Sequence, residues 1–291
     1  MASFIIFAPA IAGKSLLEIQ KSTFPKNQSD QKVQDVKMLS NDELSRYDRQ
    51  IRIDKIGEQG QLKLKKASVI VVGAGGLGSA ILMYLAAAGV GRIGIVDGDI
   101  VSITNLNRQV LYNTCDVGKQ KTLLTIEKLK QLNPNVTYDA YPAWLSDFDT
   151  AKNVFVKYDA VIDATDNFET RYLINKTSVF LEKPLFIGAV GRFMGQVTDV
   201  MPHKTACFNC IFPEKEKEVV NLMTEKNLSE GIIGTLVGTI GTIVASEFIK
   251  FTLGIGTNLF NKLLLYDLLS NEFSVISIER NLHCSVCGDF K

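Results

Sequence analysis

Four side chains in this sequence are suited to an anionic substrate. Arg49 lies in R46-Y-D-R-Q-I51, Arg108 in N105-L-N-R-Q109, Lys121 in V117-G-K-Q-K121 and Asp166 in D163-A-T-D-N167. Arginine forks match phosphate oxygens in pairs, and lysine supplies a point charge. A carboxylate such as Asp166 can hold Mg²⁺, which bridges phosphates and neutralises charge on a leaving group. Upstream, S68-V-I-V-V-G-A-G-G-L-G-S-A80 reads as a strand, a glycine turn and a helix. Gly73, Gly75, Gly76 and Gly78 let backbone approach a phosphate, and the helix N-terminus adds N–H donors. Asp97 ends the following strand, about where an acidic residue meets ribose hydroxyls.

The glycine turn alone fits NAD, FAD or ATP, and a nicotinamide dehydrogenase is the default reading. The cations downstream shift the balance, since hydride transfer has no use for so many and a triphosphate does. Each residue also has a plain alternative. Asn105 can cap a turn, Arg108 can pair with a surface carboxylate, Lys121 can be a solvated helix lysine, and Asp166 can be the N-cap of the next helix.

Of the five cysteines, four form the pairs Cys207-F-N-Cys210 and Cys284-S-V-Cys287, and Cys115 stands alone. Four thiolates make a closed tetrahedral Zn²⁺ site with no open position, hence a structural role. A redox pair is the rival for a single C-x-x-C. Both histidines, His203 and His283, lie near these pairs and read as surface or outer residues.

These residues need a frame. The chain has 291 residues, 46% hydrophobic and 22% charged, with a net charge of +1. Nothing global therefore points to nucleic acid or a membrane surface. Apolar runs at Ser68–Val72, Arg92–Val96, Asp159–Asp163 and Pro184–Ala189 predict strands. Leu77–Ala88, Lys119–Leu132 and Phe168–Leu181 predict the helices between them. The alternation predicts a Rossmann-like, doubly wound, mostly parallel sheet. Gln196–Met201, Lys262–Asp267 and Glu272–Ile278 predict a C-terminal antiparallel extension, with a buried helix near Ile233–Thr252 rather than a membrane span. Residues 1–38 read as a leader or linker. Their short apolar start lacks the basic residues of a secretion signal, while an organelle transit peptide stays open. Residues 39–291 read as one α/β domain.

Taken together and in order, R46-Y-D-R-Q, G73-A-G-G-L-G, D97-G-D, N105-L-N-R-Q, G118-K-Q-K, T165-D-N and the two C-x-x-C pairs resemble the E1-like activating enzymes of the MoeB/ThiF family. The resemblance implies ATP-dependent adenylation of the C-terminal glycine of a small ubiquitin-like sulfur carrier, MoaD- or ThiS-like, for molybdopterin or thiamine-thiazole synthesis. It implies that the glycine turn, Thr104, Asn105, Arg108 and Lys121 hold ATP. It places the ribose on Asp97 and Mg²⁺ on Asp166, with Asn167 beside it. Arg49 would reach the γ-phosphate bound by a dimer partner, so a cytoplasmic homodimer is implied. Some members use a further cysteine after the first pair. Here that stretch, E225-K-N-L-S-E-G-I-I-G234, has none. Sulfur is therefore expected from a separate donor. The same chemistry on a peptide or modified-tRNA carboxylate is the first alternative, an NAD or FAD oxidoreductase the second, and a non-catalytic scaffold the third.

Overall fold

Strands buried on both faces must be apolar at every position, and the Val/Ile runs meet that demand. The computed structural model describes residues 38–213 and 231–288. Within them, β1 (Ser68–Val72), β2 (Arg92–Val96), β3 (Thr137–Tyr141), β4 (Ala160–Asp163) and β5 (Leu185–Gly191) pair in parallel. β6 (Met194–Val200), β7 (Lys262–Asp267) and β8 (Glu272–Ser277) extend the same sheet antiparallel. The order is β3-β2-β1-β4-β5-β6-β7-β8. The expected Rossmann-like sheet with an antiparallel extension is thus what forms.

Successive strand residues face opposite sides. Val69, Val71, Ile93, Ile95 and Ile162 therefore join one core, and Ile70, Val72, Val96 and Val161 the other. The first core is roofed by α3 (Gly57–Lys66), α4 (Gly76–Ala88), α5 (Lys121–Leu132) and α9 (Gly234–Leu253). The second is covered by α6 (Phe148–Phe155), α7 (Phe168–Phe180) and α8 (Phe208–Ile211), with the cysteine pairs embedded in it. The short α1 (Asn41–Arg46) and α2 (Asp48–Ile51) precede α3. By length and composition α9 is apolar enough to cross a bilayer. It instead lays Leu236, Val237, Ile240, Val244 and Phe248 into the first core. Its Thr239, Thr242, Ser246 and Thr252 hydroxyls donate back to carbonyls one turn earlier, so its polar groups are satisfied locally.

Three sequence expectations shift. α5 starts at Lys121, not Lys119. Gly118 has a left-handed φ of 86°, and the next residues run extended, bridging Ile100 to Gln120. β5 runs on to Gly191 and β6 starts at Met194, which makes a tighter hairpin than expected. β3 and α6 carry no apolar run and were not expected. β3 is a half-exposed edge strand of sequence T-Y-D-A-Y, and α6 is set by its Asp147 cap, whose Oδ1 accepts the Thr150 N–H at 2.8 Å. The expected leader, apart from Met38, lies outside the described residues. So does the E225–E230 part of the stretch without cysteine.

In this strand order β1 has β2 on one side and β4 on the other. The connections after β1 and β4 leave in opposite senses. A crevice opens there at the carboxyl ends of the strands, where such sheets hold ligands.

Candidate active site

The crevice is lined by the turn after β1. Gly73 has a φ of 102°, and a Cβ there would sit 2.7 Å from the Ala164 carbonyl at the end of β4. A Cβ on Gly78 would lie 2.0 Å from the Gly73 carbonyl, so the turn closes only with glycine at both positions. Gly75 is the N-cap of α4. No side chain caps this helix, and its first turn has no acidic residue. Its leading N–H groups are therefore left for an anion, aided by the positive end of the helix.

Asp97 is buried and holds the turn in place. The Ala74 N–H donates to its Oδ2 at 2.7 Å and the Asp99 N–H to its Oδ1 at 2.8 Å. Behind the turn, the Tyr112 hydroxyl donates to the Ala74 carbonyl at 2.7 Å. Burial pushes the Tyr112 phenol well above its ordinary value, so it stays a neutral donor.

Arg108 packs against this turn, and Lys121 is linked to it through Asp99 and Asp97. A Cβ on Gly76 would touch the Arg108 Cγ at 3.5 Å. The Arg108 guanidinium donates to the Thr104 carbonyl at 3.1 Å and the Asn107 side chain at 3.3 Å, both neutral acceptors. Thr104 is exposed beside it. Asn105 does cap its own 3-10 turn, accepting the Ser102 N–H at 3.1 Å. Lys121 is no solvated lysine. It is buried at 3% exposure, and its Nζ pairs with Asp99 Oδ2 at 2.8 Å. Gln109 closes the motif that carries Arg108. It is buried, its Oε1 has no partner among the described residues, and its Nε2 lies 3.6 Å from where a Gly75 side chain would start.

The turn after β4 is locked from below. Thr165 donates twice to Asp163 Oδ1, at 2.9 Å from N and 2.6 Å from Oγ1, and its carbonyl accepts from Arg171 at 2.5 Å. Burial raises the Asp163 carboxyl above its ordinary value, against the pull of Arg171. The helix that follows is capped by Asn167, whose Oδ1 accepts the Thr170 N–H at 2.9 Å. Asp166 is therefore not the cap. Its carboxylate, just past the end of β4, is exposed, has no hydrogen bond or ion pair among the described residues, and is suited to a hard cation.

Arg49 is elsewhere. It is exposed on α2, whose next residue, Gln50, donates to the Ala88 carbonyl at 3.1 Å. Ala88 is the last residue of α4, while the glycine turn is at its start. Thirteen helical residues separate the two ends by roughly 18 Å. Arg49 cannot reach the turn of its own chain.

The four paired cysteines meet in space although 77 residues separate the pairs. Sγ–Sγ distances are 3.9 Å for Cys207–Cys210, 3.7 Å for Cys207–Cys284 and 3.4 Å for Cys210–Cys287. All four sulfurs lie within 4.8 Å of one another. Tetrahedral coordination at a Zn–S bond of about 2.3 Å requires sulfurs ~3.8 Å apart, so the donor set fits. The Asn175 side chain donates to Cys207 Sγ at 3.6 Å and accepts the Phe208 N–H at 3.0 Å, fixing the first ligand turn. Cys115 is exposed, with Asp116 Oδ1 at 3.8 Å, in a cavity of about 530 Å³ lined by none of the crevice residues named above. His203 and His283 are both exposed, as expected.

The ThiF family description matches residues 47–286, which contain every one of these groups except Cys287, the next residue along. This chain belongs to the ThiF family. It is 45% identical over 254 residues to a sulfur carrier protein adenylyltransferase from Thermus thermophilus, covering 85% of this chain and 92% of that protein. It is 41% identical over 256 residues to the adenylyltransferase and sulfurtransferase MOCS3 of Aedes aegypti. There it covers 87% of this chain but only 57% of the relative, so the chain spans little over half of that protein. Among solved structures it is similar to Escherichia coli MccB bound to ATP, at 26% identity and a TM-score of 0.70, over 78% of this chain and 68% of that one. This ThiF-family chain therefore has a fold similar to that of a protein solved with ATP bound.

Proposed function

We infer that this chain is an ATP-dependent adenylyltransferase acting on the C-terminal carboxylate of a small protein. The observation that carries the reading is the meeting of an uncapped glycine turn with Arg108, the Lys121–Asp99 pair and the uncommitted Asp166 at one crevice. The Thermus relative supports a sulfur-carrier protein as the substrate, MoaD- or ThiS-like. The pathway would then be molybdopterin or thiamine-thiazole synthesis.

The chemistry joins two anions. A carboxylate oxygen attacks the α-phosphorus of ATP, the bond from that phosphorus to the β-phosphate oxygen breaks, and pyrophosphate leaves. No general base is needed, because a carboxylate is already ionised at neutral pH. The α4 amides, Arg108 and Lys121 would hold the triphosphate and offset its charge, so most of the rate comes from positioning and charge stabilisation. Thr104, Asn105 and Gln109 line the same loop. Asp97 would take the ribose through lone pairs left over from its two backbone contacts. Asp166, with Asn167 beside it, would hold Mg²⁺, which when bound neutralises charge on the departing pyrophosphate. The four cysteines would hold a structural Zn²⁺.

The distance of Arg49 from its own crevice supports a homodimer in which each subunit lends this arginine to the other. The absence of a cysteine in residues 225–234 supports a separate sulfur donor. The free cysteines suit a reducing, cytoplasmic setting. Carrier-dependent exchange of labelled pyrophosphate into ATP tests the reading. Exchange should appear with a carrier ending in Gly-Gly and vanish when its last glycine is removed. No exchange with any such carrier, but exchange with a short peptide, would move the substrate to the class that the likeness to MccB suggests.

A further inference from the structure

Trp144 is the only tryptophan in the chain and stands 64% exposed. It follows β3 at the carboxyl end of the sheet, the end on which the crevice opens. Its indole is seated on Gly98, the residue after Asp97. A Cβ on Gly98 would meet Trp144 Nε1 at 2.7 Å and both Cδ1 and Cε2 at 2.8 Å. Three consecutive ring atoms at near-equal distance are reached only from above the ring. An approach in the ring plane would bring the nitrogen nearest and leave the carbons much farther. One face of the indole therefore lies flat on the Gly98 backbone, and glycine is what permits it. Solvent exposure is left to the rest of the ring.

The strand order gives this placement a meaning. In a β3-β2-β1 arrangement phosphates sit on the turn after β1 and ribose at the end of β2. The base then continues toward β3, where Trp144 stands. Asp97 is bonded to the turn after β1 through Ala74, and its neighbour Gly98 carries the indole, so turn, Asp97 and indole follow one another in that order.

Building on the adenylyltransferase reading, we propose that Trp144 is the base-binding residue of the nucleotide site, its open face stacking on the purine of ATP. Aromatic–base stacking is worth enough to matter, and it favours large π-faces. The residue selects purine over pyrimidine nucleotides and takes no part in the bond-making step.

Because Trp144 is the sole indole, its emission reports its own surroundings. Titration of the full chain with ATP should quench that emission, and inorganic tripolyphosphate, which has no base, should not. By calorimetry Trp144→Ala should weaken ATP about tenfold or more, as loss of a stacking partner does, and leave tripolyphosphate affinity unchanged. Trp144→Phe should recover most of the loss. Gly98→Ala should lift the indole and weaken ATP likewise, but add nothing in the Trp144→Ala background. Unchanged ATP affinity in Trp144→Ala, or calorimetric ATP binding with no change in emission, overturns the assignment while leaving the adenylyltransferase intact. A wild-type chain that binds no ATP overturns both.

Discussion

Asp166 and Asn167 are neighbours with opposite duties. Asn167 is fastened to the helix it caps, and the exposed Asp166 carboxylate has no hydrogen bond or ion pair among the described residues. Asp166→Ala should therefore lower carrier-dependent pyrophosphate exchange ~10²-fold or more, the scale on which such charge stabilisation acts. The thermal midpoint should not move, since no described contact is lost. A second carboxylate behaves differently. Asp199 on β6 is fully buried against Glu247 of α9, with Asn258 and the Leu259 N–H donating to both side chains and Lys250 paired to Glu247 at 2.6 Å. Burial, then the Glu247 charge, raises the Asp199 carboxyl well above its ordinary value of 3.8. The folded chain thus binds this proton more tightly than the unfolded one. Stability from Asp199 is complete below the ordinary value and lost as pH rises through the raised one. Asp199→Asn, which mimics the protonated form, should flatten that fall in chemical denaturation at rising pH. A slope equal to wild type would place the titration elsewhere.

Elements meet through their smallest residues. α9 crosses α4 with Gly241 against the Leu77 carbonyl and Ala80, where a Cβ would sit 2.8 and 2.9 Å away. Gly238, one turn earlier, has nothing within 4 Å. The same substitution should then have opposite signs. Gly238→Ala should stabilise by about 0.5–1 kcal/mol, because alanine restricts the unfolded chain and favours helix. Gly241→Ala gains the same propensity but must separate two packed helices, at a cost of about 1–3 kcal/mol, so a net loss is expected. Paired denaturation curves decide it. The pair also shows why α9 is so apolar: it fills the space between α4 and strands β5 and β6, and each small residue sets how closely it can lie.

At the scale of the molecule, two links join distant parts. The cysteine cluster ties the α8 turn to the segment after β8 across the second core. On the reading that these four thiols hold Zn²⁺, a strong chelator should release one Zn²⁺ per chain and lower the melting temperature sharply, since a structural site contributes on the order of 10 kcal/mol. Cys284→Ser should do the same without chelator. The other link would be between copies. Arg49→Ala and Asp166→Ala subunits, each inactive alone, should regain about a quarter of wild-type exchange when mixed in equal amounts, because half the dimers then hold one complete site. No recovery on mixing would argue that Arg49 does not serve a partner's site.

The sequence by itself determined the parts whose signal is local. The Val/Ile strands, the glycine turn, the charged motifs and the cysteine spacings are runs and periods of a few residues, and backbone geometry turns these directly into elements. The half-polar edge strand β3 escaped because partial exposure leaves no apolar run. Tertiary structure alone decided which polar groups are already engaged. It committed Asp97 to the turn, buried Lys121 against Asp99, gave the helix cap to Asn167 and laid Trp144 on Gly98. It also set Asp199 beside Glu247 and brought together thiols 77 residues apart. The two C-x-x-C pairs already announced one four-thiolate site; the other pairings depend on how the chain folds back on itself, which sequence spacing does not record.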